Sequence, residues 1–209
     1  MALILASSSP RRRQLLAALG HPFTIDAADI DESRMGEESP EAHVRRLAEE
    51  KARAVAARRP QDVILAADTI VVHQGRILGK PRDAAHARAM LQSLRNEPHQ
   101  VITAVAVSRA DAIVSELDVS TIIMRDYSDA EIDAYIASGD PFDKAGAYAI
   151  QNAAFAPVAR LKGCYAGVMG LPLALTARLL TAAGLVPAPS WPQACHAITG
   201  HCCQLGTEH

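Results

Sequence analysis

Aromatic residues are scarce: three Phe, four Tyr and one Trp in 209 positions, which argues against a core built on large rings. The four cysteines, Cys164, Cys195, Cys202 and Cys203, put three of their number in the last fifteen residues. That is no disulfide scaffold, and mostly reduced thiols are expected. No run approaches the roughly 20 apolar residues that span a bilayer, and the opening ALILA is too short and lacks a preceding basic stretch for a signal peptide. A cytoplasmic protein without a membrane partner is the expectation. Charge of one sign is missing too: 21 Lys plus Arg against 23 Asp plus Glu leave a net −2. Such a balance supplies no global basic field for nucleic acid, so any phosphate binding has to be local.

What the chain has is alanine, 40 residues of it, within a hydrophobic content of 49%. This composition suits helices packed close together, and the length allows one large domain or two lobes around a substantial core. Residues 2–6 read as a buried strand, followed by helix-start chemistry in SSSPRRR, with Ser9 as cap and Pro10 in the first turn. A strand is expected around Phe23 and Ile25, and a long helix opens at Ser39-Pro40. VILAADTIVV reads as a strand interrupted by Asp68 and Thr69, with a turn over 73–76. Asp83 caps a helix through Leu94, and two strands follow, ending at Met124. Ser128 and Glu131 form a capping box for a helix closed by Ser138-Gly139. AGAYAI and FAPVARL read as strands, and Leu171 to Ala183 as a last amphipathic helix. Alternating strands and helices with meander-like neighbours predict a mixed α/β fold, a twisted sheet with flanking helices. Beyond Val186 the composition turns to Pro, Cys and His, and residues 187–209 read as an appended, loosely ordered tail.

Several residues could carry chemistry. The SSSPRRR turn gathers hydroxyls, free backbone N–H groups and three guanidiniums at a helix start, a place that favours anions. An ordinary cap followed by a solvated basic face fits the same residues. Asp68 breaks an apolar strand, which suggests a carboxylate aimed into a cleft; an edge-strand carboxylate facing water is the plain alternative. Asp29, Asp31 and Glu32 form an acidic cluster that is either a solvated loop or, with Asp68, a seat for Mg²⁺ beside substrate phosphates. Among seventeen Arg and four Lys, Lys51, Lys80 and Lys144 fall in or beside the most motif-like segments, as a compact point charge would. GRILGKP lacks the spacing and the Ser/Thr of a Walker loop, and no GxGxxG, GxSxG or HExxH occurs. The CHAITGHCC tail has zinc-ligand residue types without paired CxxC spacing.

Taken together, LASSSPRRRQLL, DIDES with ESPEAHVRRLAEEKA, ILAADTIVV, ILGKPRD, HQVITAVAV, FDKAGAYAIQ and GCYAGVMGLPL resemble the Maf family of nucleoside triphosphate pyrophosphatases. They run in order over about residues 3–185. The resemblance implies a Maf-like domain over 1–186, a two-lobed Maf/ITPase-like fold around a nucleotide cleft, and a divalent cation, Mg²⁺ or Mn²⁺. It implies hydrolysis of a nucleoside triphosphate to the monophosphate and pyrophosphate. Asp68 falls on the family's catalytic aspartate, and Glu32 with Asp68 on its metal positions. Ser8, Arg11 and Arg12 fall on the phosphate-binding turn, and Lys51 and Lys80 on lysines near the triphosphate. Arg11, Thr69 and Gln151 match the dTTP/UTP subgroup, which makes dTTP, UTP and modified pyrimidine triphosphates the expected substrates. The chain departs from the family pattern at Arg95-Asn96, Asn152 and Leu175. The family's other association, a nucleotide-binding regulator of cell division without significant turnover, is the alternative reading, and a homodimer is left open.

Overall fold

The computed structural model describes residues 1–110 and 112–201. In chain order the elements are β1 (Leu3–Leu5), α1 (Pro10–Ala17), β2 (Phe23–Ile25), α2 (Pro40–Ala56), β3 (Val63–His73), β4 (Arg76–Leu78) and α3 (Ala84–Leu94). There follow β5 (Pro98–Arg109), β6 (Ala112–Met124), α4 (Asp129–Ala137), β7 (Val158–Lys162), α5 (Tyr165–Met169), α6 (Leu173–Ala182) and α7 (Trp191–Thr199). The strands make one seven-stranded mixed sheet in the order β2-β1-β3-β5-β6-β7, with β4 added beside β3. β1 pairs parallel with β2 and β3, and the remaining pairings are antiparallel.

Capping chemistry fixes where the helices begin. The side chains of Ser9, Ser39 and Ser128 each accept a hydrogen bond from the backbone N–H three residues on, and Asp83 does the same for α3. Pro10 and Pro40 sit in first turns, where a missing N–H costs nothing. Glu131 completes the capping box by accepting from Ser128 N at 2.8 Å. The β3–β4 hairpin turns on Gln74 and Gly75, at φ 49° and 74°, a left-handed pair matching the twist of the strands it joins.

Alternation along β3 and β5 distributes three apolar clusters. Ile64, Ala66, Ile70 and Val72 join Val44, Ala48, Ala52 and Val55 of α2 on one face. On the other face Val63, Leu65 and Ala67 pack with α1, α5, α6 and α7. Farther along that face Val71, Val101 and Ile122 meet α3, α4, Tyr148 and Phe155. These last two clusters are the two lobes, and β3 and β5 run through both. β1 pairs with Val63–Leu65 and β4 with Val71–His73, both on the same side of β3. Among the described residues, Ala67–Ile70 are therefore strand-paired only toward β5, and the sheet has a gap beside them.

The structure adds β4 and α5 to the elements expected from the sequence and departs from that reading in further places. β3 is continuous through Asp68 and Thr69, since a carboxylate can sit in a ladder when its side chain finds a cation. AGAYAI is not a strand: Gly146 and Ala147 at φ 69° and 60° form a tight helical turn there. FAPVARL becomes a strand only from Val158. The expected loose tail holds α7, whose Cys195 is fully buried in the first lobe, and Ala188 N donates to Leu19 O at 2.9 Å. Cys202, Cys203 and the rest of 202–209 lie outside the described residues. No helix among the described residues is long and apolar enough to cross a membrane.

Candidate functional site

The gap beside Ala67–Ile70 opens into a cleft of about 780 Å³ between the two lobes. Because the β3 edge is uncovered there, the cleft reaches both faces of the strand. Asp68 points toward α2 and Thr69 toward α1 and α5, yet both line it. Ser8, Arg11, Arg12, Glu32, Lys51, Asp68, Thr69, Lys80 and Gln151 all face this one space, whereas Asp29 and Asp31 of the acidic cluster do not line it.

Asp68 is buried in mid-strand, and α2 supplies its partner. Lys51 Nζ donates to Asp68 Oδ1 at 2.6 Å and also lies 2.6 Å from Glu32 Oε1. The Lys51 and Asp68 side chains are 10% and 11% exposed, that of Glu32 60%. A buried ammonium thus spans two carboxylates, one fixed in the sheet and one on the loop before α2. Desolvation pushes the Glu32 carboxyl up, but the bond to Lys51 and the charges of Lys51, Lys80 and Arg12 outweigh it and hold the carboxyl below its ordinary value. The Glu32 loop is anchored by Arg46, which donates to both oxygens of Glu38 at 3.0 and 2.7 Å and to Ser33 O at 3.0 Å.

Arg12, on the first turn of α1, is a fork held at three tines. Nε donates to Gly170 O at 2.8 Å, Nη1 to Ser7 Oγ at 3.3 Å and Nη2 to Thr69 Oγ1 at 3.0 Å. A guanidinium has five N–H donors, so two remain for the cleft. Burial and the neighbouring Arg11 lower the Arg12 pKa, with Asp68 and Glu32 acting against them. Gly170, at φ 114°, closes α5 at this point, and a Cβ there would come 3.4 Å from both Arg12 Nε and Thr69 Oγ1.

Asp143, Lys144 and Tyr148 also line the cleft and were not assigned to it from the sequence. Lys144 was visible as a rare lysine beside a motif, but its three donors are taken by Asp140 O, Asp140 Oδ1 and Asp143 Oδ1 at 2.6, 2.9 and 2.6 Å. Its role is to hold the turn before Tyr148. Tyr148 OH shares a 2.7 Å hydrogen bond with His99 Nε2; burial raises the phenol above its usual range, and burial, then His73, pulls His99 down to about 4. Reading AGAYAI as a strand hid this tyrosine. Asn152 sits at the far side of the same turn, where Oδ1 accepts from Phe155 N and Nδ2 donates to Asp140 Oδ2. Leu175 packs against the first lobe and does not line the cleft.

No group of three or more His, Cys, Asp or Glu side chains among the described residues could hold a metal ion. Two carboxylates do suit a hard divalent cation that takes its other ligands from water and phosphate. Lys51 engages Glu32 Oε1 and Asp68 Oδ1, and the second oxygen of each carboxylate is a donor of the kind such a cation takes. The donor chemistry therefore fits Mg²⁺ or Mn²⁺.

Residues 2–183 match the family described as Maf-like protein. The chain belongs to this Maf family. Among curated relatives, a dTTP/UTP pyrophosphatase of Thermomicrobium roseum is 54% identical over 185 residues, covering 88% of this chain and 85% of that one. A dTTP/UTP pyrophosphatase of Anaeromyxobacter dehalogenans is 52% identical, covering 87% and 94%. That of Methylococcus capsulatus is 50% identical, covering 88% and 91%. A crystal structure of a nucleoside-triphosphatase / dITP/XTP pyrophosphatase from Mycobacterium abscessus is similar at a TM-score of 0.41 and 16% identity over 61% of this chain and 76% of that one, too remote to add weight.

Proposed function

We propose that this Maf chain hydrolyses nucleoside triphosphates, dTTP and UTP foremost, to the monophosphate and pyrophosphate. The observation that carries this reading is Asp68, a buried mid-strand carboxylate facing a cleft that the serine-arginine turn also lines. Water attacks the α-phosphorus and its proton passes to Asp68. The bond from that phosphorus to the α–β bridging oxygen breaks, and pyrophosphate leaves. Lys51 orients Asp68 through the 2.6 Å ion pair. Arg12, with two open donors, and Lys80 offset the charge of the triphosphate, so positioning and charge stabilisation supply most of the rate. Glu32 and Asp68 would hold Mg²⁺ or Mn²⁺, which when bound neutralises phosphate oxygens and polarises the reacting centre. Arg11 and Gln151 are the side chains for substrate choice; the Gln151 carboxamide offers both a donor and an acceptor to a uracil or thymine edge.

A panel of triphosphates with each cation, scored for pyrophosphate against free phosphate, tests the reading, with pyrophosphate from dTTP and UTP the expected product. Asp68→Asn keeps an oxygen for Lys51 but loses the base and a charge offered to the cation, so pyrophosphate release should fall by at least about 10²–10⁴ while the protein stays folded. Retained turnover in this variant would remove Asp68 from the mechanism. Stoichiometric dTTP binding by the unaltered protein without pyrophosphate would favour the regulator instead.

A further inference from the structure

Behind the cleft wall lies a residue that touches no ligand space but decides how the wall is wired. Thr103 is fully buried in β5, in register with Thr69 of β3. Its Oγ1 donates to Gly167 O at 2.8 Å and lies 2.9 Å from Thr69 Oγ1. A hydroxyl has one proton to give. With the Thr103 proton committed to Gly167 O, its oxygen can only accept from Thr69. The Thr69 proton is then committed inward, and the Thr69 oxygen is left to accept from Arg12 Nη2 at 3.0 Å. The direction of the chain is fixed from end to end: Arg12 to Thr69, Thr69 to Thr103, Thr103 to the α5 carbonyl.

We infer that Thr103 is a positioning residue for the anion-binding fork of Arg12. By drawing the Thr69 proton away from the cleft wall, it guarantees that Arg12 meets an acceptor rather than a second donor. Arg12 Nε and Thr103 Oγ1 also hold α5 and its cap through Gly170 O and Gly167 O respectively, so the fork and the helix it leans on share one network. In a low-dielectric wall such a chain has a single satisfied arrangement. Without Thr103 the Thr69 hydroxyl can turn its proton toward Arg12, and the fork loses its third anchor. This role rests on the proposed nucleotide site, since the ligand of Arg12 is read as a phosphoryl group.

The test is Thr103→Val, nearly isosteric and unable to accept or donate, alongside Thr103→Ser and the double variant with Arg12→Lys. Folding of each is checked by thermal melting. For dTTP in Mg²⁺, T103V should raise KM and the Kd of a non-hydrolysable analogue about tenfold, with kcat changed less than about threefold, because Arg12 holds phosphate in ground and transition states alike. T103S should recover affinity to within about twofold of the unaltered protein, and in the R12K background T103V should add less than about twofold. Should T103V fold poorly, Thr103→Ala removes the same hydroxyl from the chain and carries the same KM and coupling expectations. An active protein whose T103V form keeps its KM, or whose loss persists in full in the R12K background, would overturn the role alone. An unaltered protein that hydrolyses no nucleoside triphosphate would overturn the function and this role together.

Discussion

Asp118 shows what one half-buried carboxyl costs. It accepts from Ser120 Oγ at 3.3 Å and lies against Gly167 of α5, which has no Cβ to displace it. Desolvation, only partly offset by Ser120, pushes its pKa from 3.8 up to about 6. A group raised in the folded state favours folding fully below 3.8, and that contribution is lost as pH rises through 6. Asp118→Asn should therefore stabilise the protein by about 2–3 kcal/mol at pH 8, the gain shrinking toward zero by pH 4. Melting temperatures of both forms across that range check it; an equal gain at both ends would point to packing rather than charge. Asp68, by contrast, was legible in the sequence because a carboxylate inside VILAADTIVV has no apolar excuse. Its partner was not, since Lys51 reaches it only through the way α2 lies across β3. Of the two departing asparagines, Asn96 takes left-handed backbone, φ 55°, and Asn152 contributes side-chain hydrogen bonds.

At the scale of elements, local signals read well wherever a side chain contacts its own backbone. The caps at Ser9, Ser39, Asp83 and Ser128 fall where the sequence puts them. Ser128→Ala removes the cap of α4 and half of its box. It should cost about 1 kcal/mol, read as a lower denaturant midpoint with unchanged slope. The loss stays modest because α4 is held chiefly by Ile132 and Tyr135, buried in the second lobe, while its ion pairs to α3, Arg88 with Asp133 and Arg95 with Asp129, are exposed and of small worth. Apolar alternation misled at AGAYAI, whose period of two matches a strand. Its backbone is bent because Gly146 packs onto Val71, where a Cβ would come within 3.1 Å of Cγ1. That contact lies 75 residues away in sequence, beyond the reach of any local pattern.

For the whole molecule, the fold class was readable from alternating elements, while the end of the chain was not. Pro187, Pro189 and Pro192 suggested an appendage, but they lead into α7, which covers the first lobe through Cys195 and Trp191. Deleting residues 190–209 should cost about 2 kcal/mol, or about 4–8 °C in melting temperature, with pyrophosphate release at 25 °C retained. A truncated protein that melts unchanged would show that α7 adds nothing to the core. The interrupted sheet has a separate consequence. The floor beneath Asp68 and Thr69 is the unbroken β3–β5 ladder, whereas its two doorposts, β1 and β4, are three residues each. The β3–β5 ladder alone sets the register that aims the two side chains, so a longer Gln74–Gly75 hairpin should shift β4 and the entrance beside it while leaving that register in place.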